Sequence, residues 1–139
     1  VTEKTSGCLI AVAIILIVTW FIMIIGILAA IAIPNLVRAK LVANESAAQV
    51  TAKTISTALE LYAVDNNGNY PSEEGALAKA KSPYLSTSYN NKIIQGYSYS
   101  LKLKPNGYKV IAKPSECRAT GNKIFQIETG GVISEERCQ

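Results

Sequence analysis

CLIAVAIILIVTWFIMIIGILAAIAI, the run from Cys8 to Ile33 that Pro34 closes, contains no charged residue and no side-chain amide. An α-helix advances about 1.5 Å per residue, so roughly 20 apolar residues cross a hydrocarbon core about 30 Å thick with every backbone group paired. This run has that length with a turn or more to spare. A secretory signal peptide carries an apolar core of only about 7 to 15 residues before a small-residue cleavage site, which is too short to describe it. A helix that merely tethers an exported domain fits the length equally well.

The end of the run is more specific. Gly26-Ile27-Leu28-Ala29-Ala30-Ile31-Ala32-Ile33-Pro34-Asn35-Leu36 resembles the N-terminal helix of type IV pilins and type II secretion pseudopilins. The likeness continues through Asn44-Glu45-Ser46-Ala47-Ala48, the Asn67-Gly68-Asn69-Tyr70-Pro71 turn, and Thr129-Gly130-Gly131-Val132-Ile133 before a late cysteine. It implies an α+β fold, in which a long N-terminal helix, hydrophobic first and amphipathic second, packs against a small antiparallel β-sheet. Upstream of Gly26 the likeness lapses. Ile17 stands where the family carries a glutamate, and Val12 where it carries the cleavage glycine. Cleavage after Gly7 would leave Cys8 first; alternatively Val1 is the mature terminus, with Glu3 supplying the missing acid by meeting an N-terminal amine or Lys4.

Beyond Pro34 the pattern changes period. Leu41, Ala48, Ala52, Ile55, Leu59 and Tyr62 recur at helical spacing and form one apolar stripe. Arg38, Lys40, Glu45, Gln49, Lys53 and Glu60 lie off it and are expected to face water or a neighbouring subunit. The helix is expected to reach about residue 64 and to stop at Asp65-Asn66-Asn67-Gly68-Asn69, whose residues tolerate left-handed backbone. A short helix over 72–80 is expected next, with Ser72 as its N-cap and Glu73 and Glu74 in its first turn. Alternation then predicts strands over 97–103, 108–112 and 123–128, with Asn106-Gly107 as a hairpin turn and Thr129-Gly130-Gly131 turning after the third. The chain therefore divides into residues 1–34, a transmembrane or filament-core helix, and residues 35–139, an exported globular domain. The latter comprises the amphipathic helix, a loop over 65–95, and a β-meander with a C-terminal loop over 96–139.

Composition removes most enzyme classes. The chain has no histidine, and its only aspartate, Asp65, falls in a turn, so no Ser-His-Asp or Cys-His arrangement and no His/Cys metal cluster can be built. There is neither a phosphate-binding glycine loop nor a dinucleotide fingerprint. No catalysis, cofactor or metal is expected. Net charge is +4, with 14 Lys and Arg against 10 Asp and Glu. Lys79, Lys81, Lys92, Lys102, Lys104, Lys109 and Lys113 form no dense block, so nucleic acid is an allowed partner that the spacing does not indicate. Cys117 and Cys138 are expected to pair in an oxidising compartment, the other reading being two free thiols in a reducing one. Cys8 is left over, a small buried hydrophobe or a modified terminus.

The resemblance implies a structural subunit that polymerises with copies of itself through the apolar helix, with Ile24, Leu28, Ile31 and Ile33 in the polymer core. The partners it implies are the inner membrane before assembly, a prepilin peptidase and the pilus assembly machinery, and the destination an extracellular filament serving adhesion, motility or DNA uptake. A pseudopilin in a short periplasmic filament is the alternative, to which Tyr70-Pro71-Ser72-Glu73-Glu74-Gly75 is also similar. That family pins its C-terminal loop by calcium through acidic ligands, whereas residues 114–139 here hold no aspartate but two cysteines. A membrane-tethered binding module that never polymerises is the third reading. Gly26 and Pro34 bracket a weak stretch: Pro34 lacks the N–H for the Ala30 carbonyl at a cost of about 3 kcal/mol, and Gly26 adds nearly 1 more. In a bilayer this stretch is expected to stay helical, and in a filament core to extend.

Overall fold

The computed structural model describes residues 2–80 and 82–139, with side chains from Gly7 onward. The elements are α1 (Thr2–Asp65), α2 (Gly75–Lys79), β1 (Ile93–Ile94), β2 (Tyr97–Lys104), β3 (Gly107–Pro114), β4 (Lys123–Glu128) and β5 (Val132–Arg137). This is an α+β arrangement in which one long helix serves a five-stranded antiparallel sheet of order β1-β2-β3-β4-β5. Residues Val1–Ala39 and Lys40–Gln139 form two separate compact units, so the division falls a little beyond Pro34.

In the first unit α1 continues through Gly26 and Pro34 without interruption. In the second, the expected stripe is the one that is buried. Ala48, Ala52, Ile55 and Leu59 are almost wholly enclosed, joined by Ala58 and Ala63, while Leu41 and Tyr62 are half-buried. The sheet answers with the alternate residues of its strands: Tyr97 and Tyr99 from β2, Tyr108, Val110 and Ala112 from β3, and Phe125 and Ile127 from β4. Ile124 and Gln126 take the other face, as the period-two pattern requires.

α1 ends where the Asn/Gly cluster begins. Asn67 and Gly68 adopt left-handed backbone, and the Gly68 N–H reaches back to the Ala63 carbonyl at 2.7 Å. The Asn66 side-chain amide donates to the Tyr62 carbonyl at 2.8 Å, so the last turn's acceptors are satisfied locally.

Four local expectations change. α2 is shorter than expected, and Ser72 does not cap it: the residue before the helix is Glu74, which makes no side-chain cap bond to it. Instead the Glu74 carboxylate accepts the Ser88 hydroxyl at 2.7 Å and the amides of Tyr89 and Asn90, so it staples the loop rather than the helix. The β2–β3 hairpin turns one residue earlier than Asn106-Gly107, because Lys104 pairs with Gly107 and leaves Pro105-Asn106 as the loop. Proline at the second and glycine at the fourth turn position suit an ordinary type I turn, and Gly107 does not need positive φ. Finally, two strands join the expected three. β1 enters through Gln95 and Gly96, both at positive φ as a type I′ turn demands, and β5 follows the Thr129-Gly130-Gly131 loop.

Gly121 has no space for a side chain, because a Cβ there would run into the hydroxyl and ring of Tyr97. That ring is fully buried and its hydroxyl donates to the Lys123 carbonyl at 2.9 Å, so it has no room to yield. Gly121→Ala is expected to destabilise the second unit by roughly 1–3 kcal/mol, read by denaturant unfolding of the full chain in detergent. Gly75→Ala, where a methyl meets only ordinary contacts in a short helix, is the control and should be neutral or slightly stabilising. Equal stability of Gly121→Ala and the parent chain would contradict this account of the Tyr97 site.

Candidate functional site

The apolar half of α1 is the first candidate. Ile24, Leu28, Ile31 and Ile33 are all exposed, at 36%, 62%, 61% and 61%, as are Leu9, Ile17, Trp20, Phe21 and Met23 around the rest of the helix. Among the described residues one helix is long and apolar enough to cross a membrane, and none of the window that qualifies is buried. Thr19 is the one hydroxyl in this stretch, and it donates to the Ile15 carbonyl at 2.8 Å. A polar group disposed of inside its own helix is compatible with a lipid surrounding. A side chain placed at Gly26 would meet nothing within 4 Å beyond its own helix backbone. Cys8 is an exposed free thiol rather than a buried one. The expected pairing of Glu3 with an N-terminal amine or Lys4 lies outside the described side chains.

Cys117 and Cys138 form a disulfide. The bond joins the loop after β3 to the end of β5, and the Cys138 N–H donates to the Asn122 carbonyl at 3.0 Å. Closing a loop of 21 residues in sequence limits the unfolded chain by about 3 kcal/mol in the entropic account.

Spacing alone left Glu45 and Glu60 to face water or a neighbouring subunit, and the structure turns both toward the sheet and its loops. The Glu45 carboxylate accepts the Asn122 N–H at 2.7 Å, beside the bond from the Asn44 amide to the Thr120 carbonyl at 2.9 Å. Glu60 joins three separate parts of the second unit. Its carboxylate accepts the Tyr70 hydroxyl at 2.9 Å, the Tyr108 hydroxyl at 2.8 Å and the Gly130 N–H at 2.7 Å. An ionised carboxylate accepts only, so Tyr108 spends its one proton on Glu60 and must accept from buried Ser56, 2.7 Å away. One acidic side chain on α1 thereby holds the loop after the helix, the β2–β3 hairpin and the β4–β5 turn.

The electrostatics of this junction follow from the same contacts. Burial pushes the Glu60 carboxyl up, but the bonds from Tyr108, Gly130 and Tyr70 outweigh it and leave it below the usual carboxylate value. The Tyr108 phenol is pushed up to about 12, by burial first and then by Glu60's negative charge, against the opposing bond from Ser56. A signal for Glu60 exists in the sequence only in retrospect, as an acid flanked by the buried positions Leu59 and Ala63.

In comparison with known proteins, no family model matches the chain, and neither a curated protein nor a solved structure matches it.

Because the folded Glu60 value lies below the unfolded one, its contribution is present above the unfolded carboxylate pKa of about 4.3 and is lost as pH falls through the folded value. Glu60→Gln keeps the shape but removes the charge and turns one acceptor into a donor. Its melting temperature is expected to be lower than the parent's at neutral pH, and the gap to narrow as pH is taken below about 4. Parallel acid titrations of the two proteins would refute this if the gap stayed constant.

Proposed function

We propose that the chain is a structural subunit of a type IV pilus-like helical filament, held in a membrane by its apolar helix before assembly and packed against other copies through it afterwards. The observation that carries this reading is the apolar surface of α1 from Leu9 to Ile33, which is exposed, while the second unit has a hydrophobic core of its own. Such a helix needs either lipid or other helices. Leaving lipid bare would expose on the order of several hundred Å² of hydrocarbon, a penalty of order 10 kcal/mol at roughly 25 cal/mol per Å². Extraction and polymerisation are therefore coupled, each departing helix being covered as it leaves.

The sequence likeness over Gly26–Leu36 supports a filament over a plain tether, and the Cys117–Cys138 disulfide supports an exported, oxidising destination. Gly26 and Pro34 give the filament a reserve of length. A residue drawn from about 1.5 Å to about 3.3 Å of rise doubles its span, so a subunit can lengthen between these points while neighbours shield its backbone.

Electron microscopy of sheared surface fibres tests the reading. Fibres containing this chain are expected in the parent, and Ile24→Asp should abolish them while the disulfide-closed second unit remains folded. Normal fibres from Ile24→Asp, or a membrane-held chain that never forms fibres under any condition of expression, would overturn it.

A further inference from the structure

Each cysteine of the disulfide has an arginine as its chain neighbour, in Cys117-Arg118 and Arg137-Cys138, and these are two of the chain's three arginines. The bond therefore clamps them together. Its Cα atoms are 5.9 Å apart, and one peptide step on either side leaves the two arginine Cα atoms at most about 13.5 Å apart. Both arginines line one open hollow of about 390 Å³, with Glu45, Asn122, Lys123 and Cys138. Sheet register brings in the third cation, because Lys123 stands directly across the ladder from Arg137.

Folding does not call for arginine at either place. Arg118 has φ of +68°, in the left-handed region where glycine sits without strain and a side chain does not. A turn holds it there, the Arg118 N–H donating to the Gly121 carbonyl at 2.9 Å and the Thr120 N–H to the Glu116 carbonyl at 2.9 Å. Like charges directly across a ladder, as Arg137 and Lys123 are, destabilise it. The Lys123 ammonium donates to Glu135 at 2.7 Å, which holds it above its usual value against the opposing charge of Arg137. Glu45 is engaged by the Asn122 N–H at 2.7 Å. Among the described residues neither Arg118 nor Arg137 has a carboxylate within ion-pair distance.

We propose that Arg118 and Arg137, clamped by the Cys117–Cys138 bond, form a binding site for one carboxylate group, carried by a free acid or by an acidic side chain. A guanidinium is a planar fork of fixed donors that meets a planar carboxylate through two parallel bonds, which an ammonium cannot do. Charge selects the valence of the ligand. With Lys123 offset by Glu135, the hollow keeps two arginine charges against the one on Glu45, so a single further negative charge completes it. A planar monoanion is thereby favoured over a dianionic phosphate. Asn122 adds a neutral amide to the wall. Both arginines are exposed, and ion pairs open to water are screened, so the affinity belongs in the millimolar range. One subunit holds the whole site, so the proposal does not rest on filament formation.

The test follows the arginine Nε–H signals of the full isotope-labelled chain by NMR, in non-ionic detergent at neutral pH and constant ionic strength. The probes are acetate, for a free acid, and the capped peptide acetyl-Gly-Glu-Gly-amide, for an acidic side chain. The signals of Arg118 and Arg137 are expected to shift together and to saturate, while Arg38, the remaining arginine, stays in place as the internal control. The tighter of the two probes names the source of the carboxylate. Arg118→Lys and Arg137→Lys together keep the charge but lose the forks, and should weaken binding by about fivefold or more, with the disulfide still closed and the backbone amide spectrum kept. The remaining backbone amides near the hollow report that binding once the arginine signals are gone. Equal shifts at Arg38, shifts that never saturate, tighter binding of inorganic phosphate than of either carboxylate, or full binding by the double lysine variant would overturn the proposal.

Discussion

Tyr97, Tyr99, Tyr108 and Phe125 are packed against a helix stripe made largely of Ala48, Ala52, Ala58 and Ala63, and the difference in size between the two sides governs the second unit. Small residues on α1 leave room for whole rings, each burying 150–250 Å² and contributing roughly 4–6 kcal/mol before the entropy of ordering is set against it. A tyrosine enclosed in this way brings a hydroxyl that must find a partner. Tyr97 uses the Lys123 carbonyl, and Tyr108 uses Glu60 and Ser56. The polar junction at Glu60 is thus a product of the packing scheme: aromatic bulk placed against alanine carries polar tips toward the helix, and one carboxylate collects them.

The two units solve the problem of apolar surface in opposite ways. Residues 40–139 cover theirs with a sheet and satisfy most of the resulting polar groups internally, the buried Tyr99 hydroxyl being left without a hydrogen-bond partner among the described residues. The described residues of the apolar stretch leave theirs bare, and the Thr19 hydroxyl finds its acceptor inside its own helix. A continuous helix assignment therefore passes between two environments, and the change comes where alternate faces begin to differ in polarity, near Arg38 and Lys40.

Much of this was legible from pattern alone. The helix stripe and strands β2, β3 and β4 follow periodicities of 3.6 and two that burial on one face imposes, and the cysteine pair was legible as two late cysteines in a single chain. What was not legible depends on partners distant in sequence. β5 reads Val-Ile-Ser-Glu-Glu-Arg, with too little alternation to stand out, because as an edge strand it has only Ile133 partly in the core. β1 is two residues long and is held by its turn. Glu60 and Glu45 look like ordinary surface acids until the loops they bind are placed. Glu74 shows distant partners overriding a local expectation: an acid expected in the first turn of a helix is claimed by three donors on the Ser88–Asn90 loop.

The way β5 is fastened has a mechanical meaning. Its leading turn is tied to α1 by the Gly130–Glu60 bond, and its trailing end is tied covalently through Cys138. An edge strand usually fails under load by peeling, each ladder bond breaking in turn from a free end. With both ends fastened there is no free end from which to start, so tension would load the β4–β5 bonds together, in shear. The strand best placed to fray becomes one that resists pulling, and the row of Glu135, Glu136 and Arg137 on it discourages a foreign strand from taking its place.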